Sequence, residues 1–273
     1  MDYRKFSLET ASGNVFSLTD PSVKVFATNP SGFGFTMSNT TTRLGDVDYL
    51  TSKVPSMLDK SFDIIFYGDS VEEIYRNYQS FVRFLNTDDT LYLKYDLGNI
   101  GIYRVVVTSS SISKSEVMPD DNALTCSLSL NTLTFWEDGT EHTDTATGSG
   151  TVTKTITVDG DTGTYMNIKI VGTMTNPTYS IENADGVYGR GKFTGTYTEL
   201  EVIADPANET INLKNGNTVI TNPYNYQDLS VGEDGIAVTF LNLKRGSNTF
   251  RFSSSSSSSV TITLKYRNRY VSV

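Results

Sequence analysis

Ser70 to Asn86 is the one stretch of this 273-residue chain in which apolar side chains return at a helical period. Ile74, Tyr78, Phe81, Val82 and Leu85 fall on one face of a 3.6-residue repeat, and polar residues take the other. Ser70 with Glu73 three residues later is a capping-box pattern, in which the hydroxyl accepts from the third helical N–H and the carboxylate returns to the cap's own N–H. Glu72 and Glu73 in the first turn and Arg83 in the last suit the helix dipole, and Asn86 with the polar run to Thr90 ends the helix. Just upstream, Phe62, Ile64 and Phe66 alternate with Asp63, Ile65 and Tyr67. Just downstream, Leu91 to Tyr95 reads as a strand too. A strand therefore enters the helix and another leaves it, so the helix must lie against a sheet.

The remaining patterns are those of a mainly β chain. Phe6 to Leu18 reads as a hairpin around Ser12-Gly13-Asn14, and Asn29-Pro30-Ser31-Gly32 as a turn. Phe33-Gly34-Phe35 suggests a strand that another backbone passes closely. Arg43 to Leu50 and Pro55 to Leu58 read as loop or edge segments. Ile102 to Val107 is partly apolar on both faces, which suits a buried strand; Ser109 to Val117 is polar and extended; Met118 to Asn122 turns. Ala123 to Phe135 is a strand pair ending at Trp136, with Cys126 a small buried residue within it. Glu137 to Gly150, EDGTEHTDTATGSG, holds no large apolar residue and reads as a linker, placed at 138–149. Short strands at regular spacing follow. Val152–Val158, Tyr165–Val171, Thr178–Glu182, Thr194–Ile203, Thr210–Leu213, Thr218–Ile220, Ala237–Leu243, Thr249–Phe252 and Val260–Tyr266 are expected there, as in a sandwich or barrel. Asn215-Gly216-Asn217 and Arg245-Gly246-Ser247-Asn248 are expected hairpin turns, and the all-serine run Ser253 to Ser259 a flexible hairpin loop.

Charge and inventory remove several function classes. A net charge of −9 disfavours a phosphate-reading or membrane-binding surface. No apolar run approaches the roughly 20 residues of a spanning helix, and MDYRKFSLET lacks a signal's apolar region, so a soluble chain made in a cytoplasm is expected. With Cys126 alone, no internal disulfide or cysteine zinc cage can form. Gly186 to Lys192, GVYGRGK, has P-loop spacing, but Phe193 stands where the magnesium-binding hydroxyl belongs. Gly32 and Gly34 lack the third glycine and the βαβ context of a dinucleotide fingerprint. Asp159 and Asp161 open like a calcium loop, yet the later glycine and glutamate are missing, which leaves a solvated turn. His142 is the single histidine and has no nucleophile motif near it, so a catalytic triad or histidine metal site is not expected. No catalytic, cofactor or metal residue is assigned, and no enzyme activity is expected. Trp136 and the tyrosines of Asn222-Pro223-Tyr224-Asn225-Tyr226 carry rings that could stack on sugars. Tyr188, Tyr224 and Tyr226 are the candidate saccharide or partner contacts.

One ordered set of segments resembles a known family. FSLETASGNVFSLTD, PSGFGF, KSFDIIFYGDSVEEIYRNYQSFVRFLN, LYLKYD, IYRVVVTSSSISKSE and LTCSLSLNTLTFW occur in this order in the N-terminal domain of siphophage distal tail (Dit) proteins, including Lys114-Ser115-Glu116 and the closing Phe135-Trp136. The resemblance covers about residues 1 to 137. It implies an N-terminal split β-barrel or sandwich with one flanking helix at 70–86, six copies of which form a ring at the virion tail tip. It further implies a C-terminal β-sandwich of galectin-like or jelly-roll type, expected at 150–273. The implied partners are the chain itself as a homohexamer, the tail tube protein, the tail-associated lysin or tail fibre hub, and receptor-binding proteins. Phage DNA would pass through the ring without specific binding, past a wall for which an acidic chain suits. No membrane and no cofactor are implied. The resulting expectation is a structural hub joining tail tube to baseplate and host-adhesion components. The alternative is a carbohydrate-binding accessory baseplate protein that contacts the host surface through its C-terminal sandwich.

Overall fold

The computed structural model describes residues 4–115, 122–205, 209–228 and 240–273. It divides into two compact units, Met1–Gly139 with Tyr270–Val273, and Thr140–Arg269. In the first, the strands are β1 (Lys5–Thr10), β2 (Val15–Ser17), β3 (Val25–Ser31), β4 (Phe35–Leu44), β5 (Val47–Met57), β6 (Lys60–Tyr67), β7 (Leu91–Asp96), β8 (Ile102–Lys114), β9 (Ala123–Thr132) and β10 (Trp136–Asp138). The helix α1 (Val71–Leu85) lies between β6 and β7. The main sheet is antiparallel in the order β2-β1-β7-β8-β9-β6-β3, with β10 on the free side of β8.

β8 makes the barrel's corner. Its first half, Ile102–Val107, pairs with β7, and its second half, from Val107 to Lys114, pairs with β9 with a register shift between Ser109 and Ser111. A bulge bends and twists a strand, which lets one strand belong to two faces of a rolled sheet. The open ends meet at Leu18: its N–H donates to Phe6 O at 2.9 Å and its carbonyl accepts from Ala27 N at 2.6 Å, bridging β1 to β3. Closure of this kind removes exposed edges. Inside are Phe6, Leu8, Phe62, Ile64, Leu93, Val105, Leu128 and Trp136, all buried. Cys126 is buried in β9 as expected, and burial pushes its thiol up to about 11.

α1 closes one side. Ser70 caps it, its Oγ accepting from Glu73 N at 3.2 Å. The return bond departs from the expected capping box: Glu73 Oε2 accepts from Asp69 N at 2.7 Å, one residue before the cap. The reason is Lys24, just ahead of β3, whose Nζ holds the other oxygen of the carboxylate at 2.8 Å. Ile74, Phe81 and Leu85 are buried, while Tyr78 is partly covered and meets Phe66 edge-on at 5.7 Å.

The second unit is a two-sheet sandwich. Its strands are β11 (His142–Ser149), β12 (Thr151–Val158), β13 (Thr164–Thr175), β14 (Thr178–Asn183), β15 (Gly186–Lys192), β16 (Thr196–Ile203), β17 (Thr210–Asn215), β18 (Thr218–Val219), β19 (Asn242–Leu243), β20 (Gly246–Ser253) and β21 (Ser259–Tyr266). One sheet runs β11-β21-β13-β16-β17-β18 with β19 also on β13, the other β12-β20-β14-β15. Period-2 alternation sends Val260, Ile262, Leu264 and Tyr266 of β21 inward against Phe250 and Phe252 of β20, Tyr179 and Ile181 of β14, and Ile168 and Ile170 of β13.

Three sequence expectations are corrected here. The expected linker 138–149 is mostly strand: β11 pairs with β21 over His142↔Tyr266 to Ser149↔Ser259. An edge strand of this sort needs ladder hydrogen bonds rather than apolar side chains, since β21 supplies the core. The serine run is a crossover, not a hairpin loop, because β20 and β21 belong to different sheets, and Ser254 and Ser255 are fastened to Thr175 O at 3.1 and 3.0 Å. Arg245–Asn248 likewise joins β19 on β13 to β20 on β12 rather than forming a hairpin. Of the two readings for Arg43–Leu50 and Pro55–Leu58, loop or edge segment, the structure has the edge: most of both lies in the long two-stranded hairpin β4–β5. The turn at Asn215-Gly216-Asn217 does form a hairpin, with Asn215 opposite Thr218. Of the expected turn Met118–Asn122 only Asn122 is among the described residues, and of the expected strand Ala237–Leu243 only Phe240–Leu243.

Candidate interaction surfaces

The hairpin β4–β5 stands apart from the barrel sheet as its own two-stranded ladder, from Phe35↔Met57 to Leu44↔Val47. Ten residues of strand at about 3.3 Å each give it a reach of about 33 Å. Every residue of β4 is exposed, and in β5 only Pro55 and Met57 are partly covered. Leu44 is 65% exposed, Leu50 58%, Val47 and Val54 53%. The signal for it in the sequence was the pair Gly45-Asp46 between Leu44 and Val47, a two-residue hairpin loop in which Gly45 takes a φ of +66°. Sequence reasoning missed it because Thr-rich strands without a buried face show no apolar alternation.

Trp136 is wholly buried and so cannot stack on a sugar. It lies against Phe33 at 5.8 Å and Tyr95 at 6.1 Å, in a box that also holds Phe6 and Phe62. Lys60 is buried in the same box. Its Nζ donates to Leu58 O at 2.5 Å and sits 5.6 Å from the Trp136 ring centre and 5.9 Å from that of Phe33. Burial pulls its pKa down from 10.5 to about 8, against the opposing charge of Asp59.

Of the three candidate contact residues, Tyr188 sits on β15 and Tyr224 and Tyr226 on a 3-10 turn, Pro223–Tyr226. Tyr188 is half-buried; Tyr224 and Tyr226 are 49% and 42% exposed. Tyr226 meets Tyr197 edge-on at 6.3 Å, and its carbonyl accepts from Thr194 N. Tyr188 has different neighbours. Its hydroxyl bonds Asn248 Oδ1 and accepts from Lys244 N at 3.2 Å, and its ring lies 4.5 Å from Lys244 Nζ. The structure therefore places the three tyrosines in two separate surroundings.

Gly186–Lys192, with its P-loop spacing, is strand β15. Its glycines serve packing: a Cβ at Gly191 would stand 2.3 Å from the buried Tyr179 ring, and one at Gly189 2.8 Å from Leu241 Cδ2. His142 is on β11, stacked on Tyr266 at 5.2 Å with Nε2 3.1 Å from Asn268 Nδ2. Asp159 and Asp161 are exposed, and among the described residues no group of three His, Cys, Asp or Glu side chains is placed to hold a metal ion.

A family model for the N-terminal domain of the distal tail protein matches residues 5–133. No curated protein sequence matches the chain. Among solved structures, a chain of the phage P2 baseplate in its activated conformation with Ca aligns over 100% of both chains with a TM-score of 0.66 at 13% identity. The Dit protein of phage SPP1, described as a paradigm of the hub adsorption apparatus of phages that infect Gram-positive hosts, aligns over 95% of this chain and 98% of its own with a TM-score of 0.61 at 14% identity. At such identities these likenesses speak for the fold alone. The match falls on the domain whose barrel, corner strand and helix have just been described: residues 5–133 form a domain of the kind found at the N-terminus of bacteriophage distal tail (Dit) proteins.

Proposed function

We propose that this protein is a structural hub at the tail tip of a long-tailed phage, with six N-terminal domains closing a ring that joins the tail tube to baseplate and host-adhesion components. As a distal tail protein it is a structural part of the virion's tail tip. The observation that carries the ring is the arm β4–β5. An isolated two-stranded hairpin is marginal in water, and an exposed edge with apolar side chains is a template for pairing with another chain. A second copy of the same domain supplies the missing surface, and head-to-tail contacts of one kind close into a ring when the rotation allows. The tail tube protein, a tail-associated lysin or fibre hub, and receptor-binding proteins are the partners on either side. DNA travels through the lumen, where the net charge of −9 keeps phosphates from adhering.

Sedimentation or native mass measurement of the full chain across a wide concentration range tests this. The expected species is a hexamer at high concentration that dissociates on dilution, as modest interfaces do. Replacing Tyr49, Leu50 and Val54 together by serine should leave monomer at every concentration. A variant that still assembles as the parent does would remove the arm from the ring contact.

A further inference from the structure

The C-terminal unit carries a cationic cleft. It has a volume of about 600 Å³, within the range of ligand sites, and is lined by Gly163, Tyr188, Asn242, Leu243, Lys244, Arg245 and Arg269. Three of those seven residues are cations and none is a carboxylate, in a chain whose net charge is −9. Elsewhere in this unit Lys154, Lys169, Lys192, Lys214, Lys265 and Arg251 each have a carboxylate partner. Among the described residues no carboxylate stands within ion-pair distance of Lys244 or Arg245, and both are exposed.

The cleft is built rather than accidental. Asn248 is wholly buried and fixes the turn beneath it, its Nδ2 donating to Lys244 O at 2.7 Å and Gly246 O at 2.9 Å while Oδ1 accepts from Lys244 N at 3.1 Å. That same Oδ1 receives the Tyr188 hydroxyl, so one buried amide holds both the tyrosine and the backbone turn that carries Lys244 and Arg245. On the other wall, Arg269 stacks its guanidinium 4.6 Å from the buried Tyr165 ring, and its carbonyl accepts from Asp161 N at 2.8 Å. β19 closes the floor, with Thr164 opposite Leu243.

We propose that this cleft binds an anionic carbohydrate, a glycan or polyol polymer whose repeat bears a carboxylate or a phosphate. Lys244 and Arg245 supply the charge recognition, Arg245 being able to hold either group through two parallel N–H bonds. Tyr188 supplies a rigid apolar surface beside them, which a free inorganic anion does not need and a sugar or polyol stem uses. Charge density argues against nucleic acid. Duplex DNA brings one charge per about 1.7 Å, and an acidic chain repels such a polymer over a Debye length beyond the three cations. A carbohydrate with one charge per repeat meets the cleft without that repulsion. The binding is independent of ring formation.

The test is titration of the full chain, by calorimetry or heteronuclear NMR at low salt, with four probes: a hyaluronan oligosaccharide, a glycerol phosphate oligomer, the carboxyl-reduced hyaluronan oligosaccharide, and a single-stranded oligodeoxynucleotide. At least one of the first two should bind at about 1 mM or below, and which one does assigns the anion as carboxylate or phosphate. If hyaluronan binds, its carboxyl-reduced form should bind about tenfold more weakly. Lys244→Gln with Arg245→Gln, both exposed and so neutral for folding, should weaken the bound probe by about tenfold or more. Tyr188→Phe should retain binding, because the ring stays, and Tyr224→Ala should leave it unchanged. Absence of binding by both anionic carbohydrates overturns the proposal. So does reduced hyaluronan binding as tightly as the acid, undiminished binding by the double variant, or an oligodeoxynucleotide that binds more tightly than either carbohydrate.

Discussion

The arm β4–β5 and the pair β13–β21 are both antiparallel ladders, and they differ in what their side chains meet. In β13–β21, Met166, Ile168 and Ile170 stand beside Ile262, Leu264 and Tyr266, and all six are buried beneath the opposite sheet. In the arm the corresponding faces carry Thr36, Ser38, Thr40 and Thr42 mixed with Met37, Val54 and Leu50, and they stay exposed among the described residues. Ladder hydrogen bonds shape both pairs, but only burial stabilises one of them alone, because a backbone bond exchanged for one to water contributes little net. A strand pair that a chain builds and leaves uncovered is a surface whose stability comes from another molecule. The two regions thus predict opposite responses to substitution.

The largest effect is expected where α1 meets the barrel. Phe81 is wholly buried and its ring lies 4.9 Å from Phe16 and 5.6 Å from Phe66. Phe81→Ala should lower the stability of the N-terminal unit by about 3 to 5 kcal/mol, read as a shift of the urea midpoint. Glu72→Ala and Gln79→Ala, on the exposed face of the same helix, should change little. An unmoved midpoint for Phe81→Ala would mean that the helix does not stabilise the barrel at all.

Lys60 provides a test in the opposite direction. Its folded pKa near 8 lies below the ordinary 10.5, so the unfolded chain binds the proton more tightly than the folded one. The destabilisation from the buried ammonium is therefore complete below about pH 8, fades as pH rises toward 10.5, and is absent above it. Lys60→Met keeps the stem and removes the charge, and Leu58 O keeps its bond from Thr132 Oγ1 at 2.9 Å. The variant should be more stable than the parent by about 3 kcal/mol at pH 7, with the gap closing between pH 8 and 10.5. Parallel denaturation at four pH values checks it; a gap that does not change with pH would show that the ammonium is hydrated.

These contrasts also say what could be read in the sequence. α1 was legible because its cap, charges and period are all local, and β21 because Val260 to Tyr266 alternate without interruption. β15 was not, since Gly186, Gly189 and Gly191 read as a loop until Tyr179 and Leu241 are seen to fill the missing side-chain space. β11 was hidden for a related reason: its only apolar side chain toward the core is Ala146, and β21 provides the rest. Tyr188 could be named from its neighbourhood in the chain, but not Lys244, Arg245 and Arg269 beside it. They arrive through the pairing of β19 with β13 and the bridge Thr162↔Arg269, contacts between residues far apart in sequence. Gly191→Ala measures how tightly such a hidden strand is packed. A Cβ 2.3 Å from the Tyr179 ring should cost about 1 to 3 kcal/mol in the C-terminal unit by overpacking, and no loss would mean that the ring has room to move.

The smallest expected effect bears most directly on the comparison. Leu50 and Val54 are 58% and 53% exposed, so replacing either by serine removes little surface that folding had taken from water. Leu50→Ser and Val54→Ser should each change monomer stability by no more than about 0.5 kcal/mol, the usual limit for surface positions. A larger drop, about 1 kcal/mol or more in dilute protein, would show that the arm is packed within its own chain, and the contrast with β13–β21 would fail. The same substitutions act differently once copies associate, because side chains that are wet in the monomer become desolvated at an interface. Measured side by side, the midpoint should stay nearly constant while the concentration needed for assembly rises. That separation between folding and association is what distinguishes an assembly arm from a loosely attached strand pair.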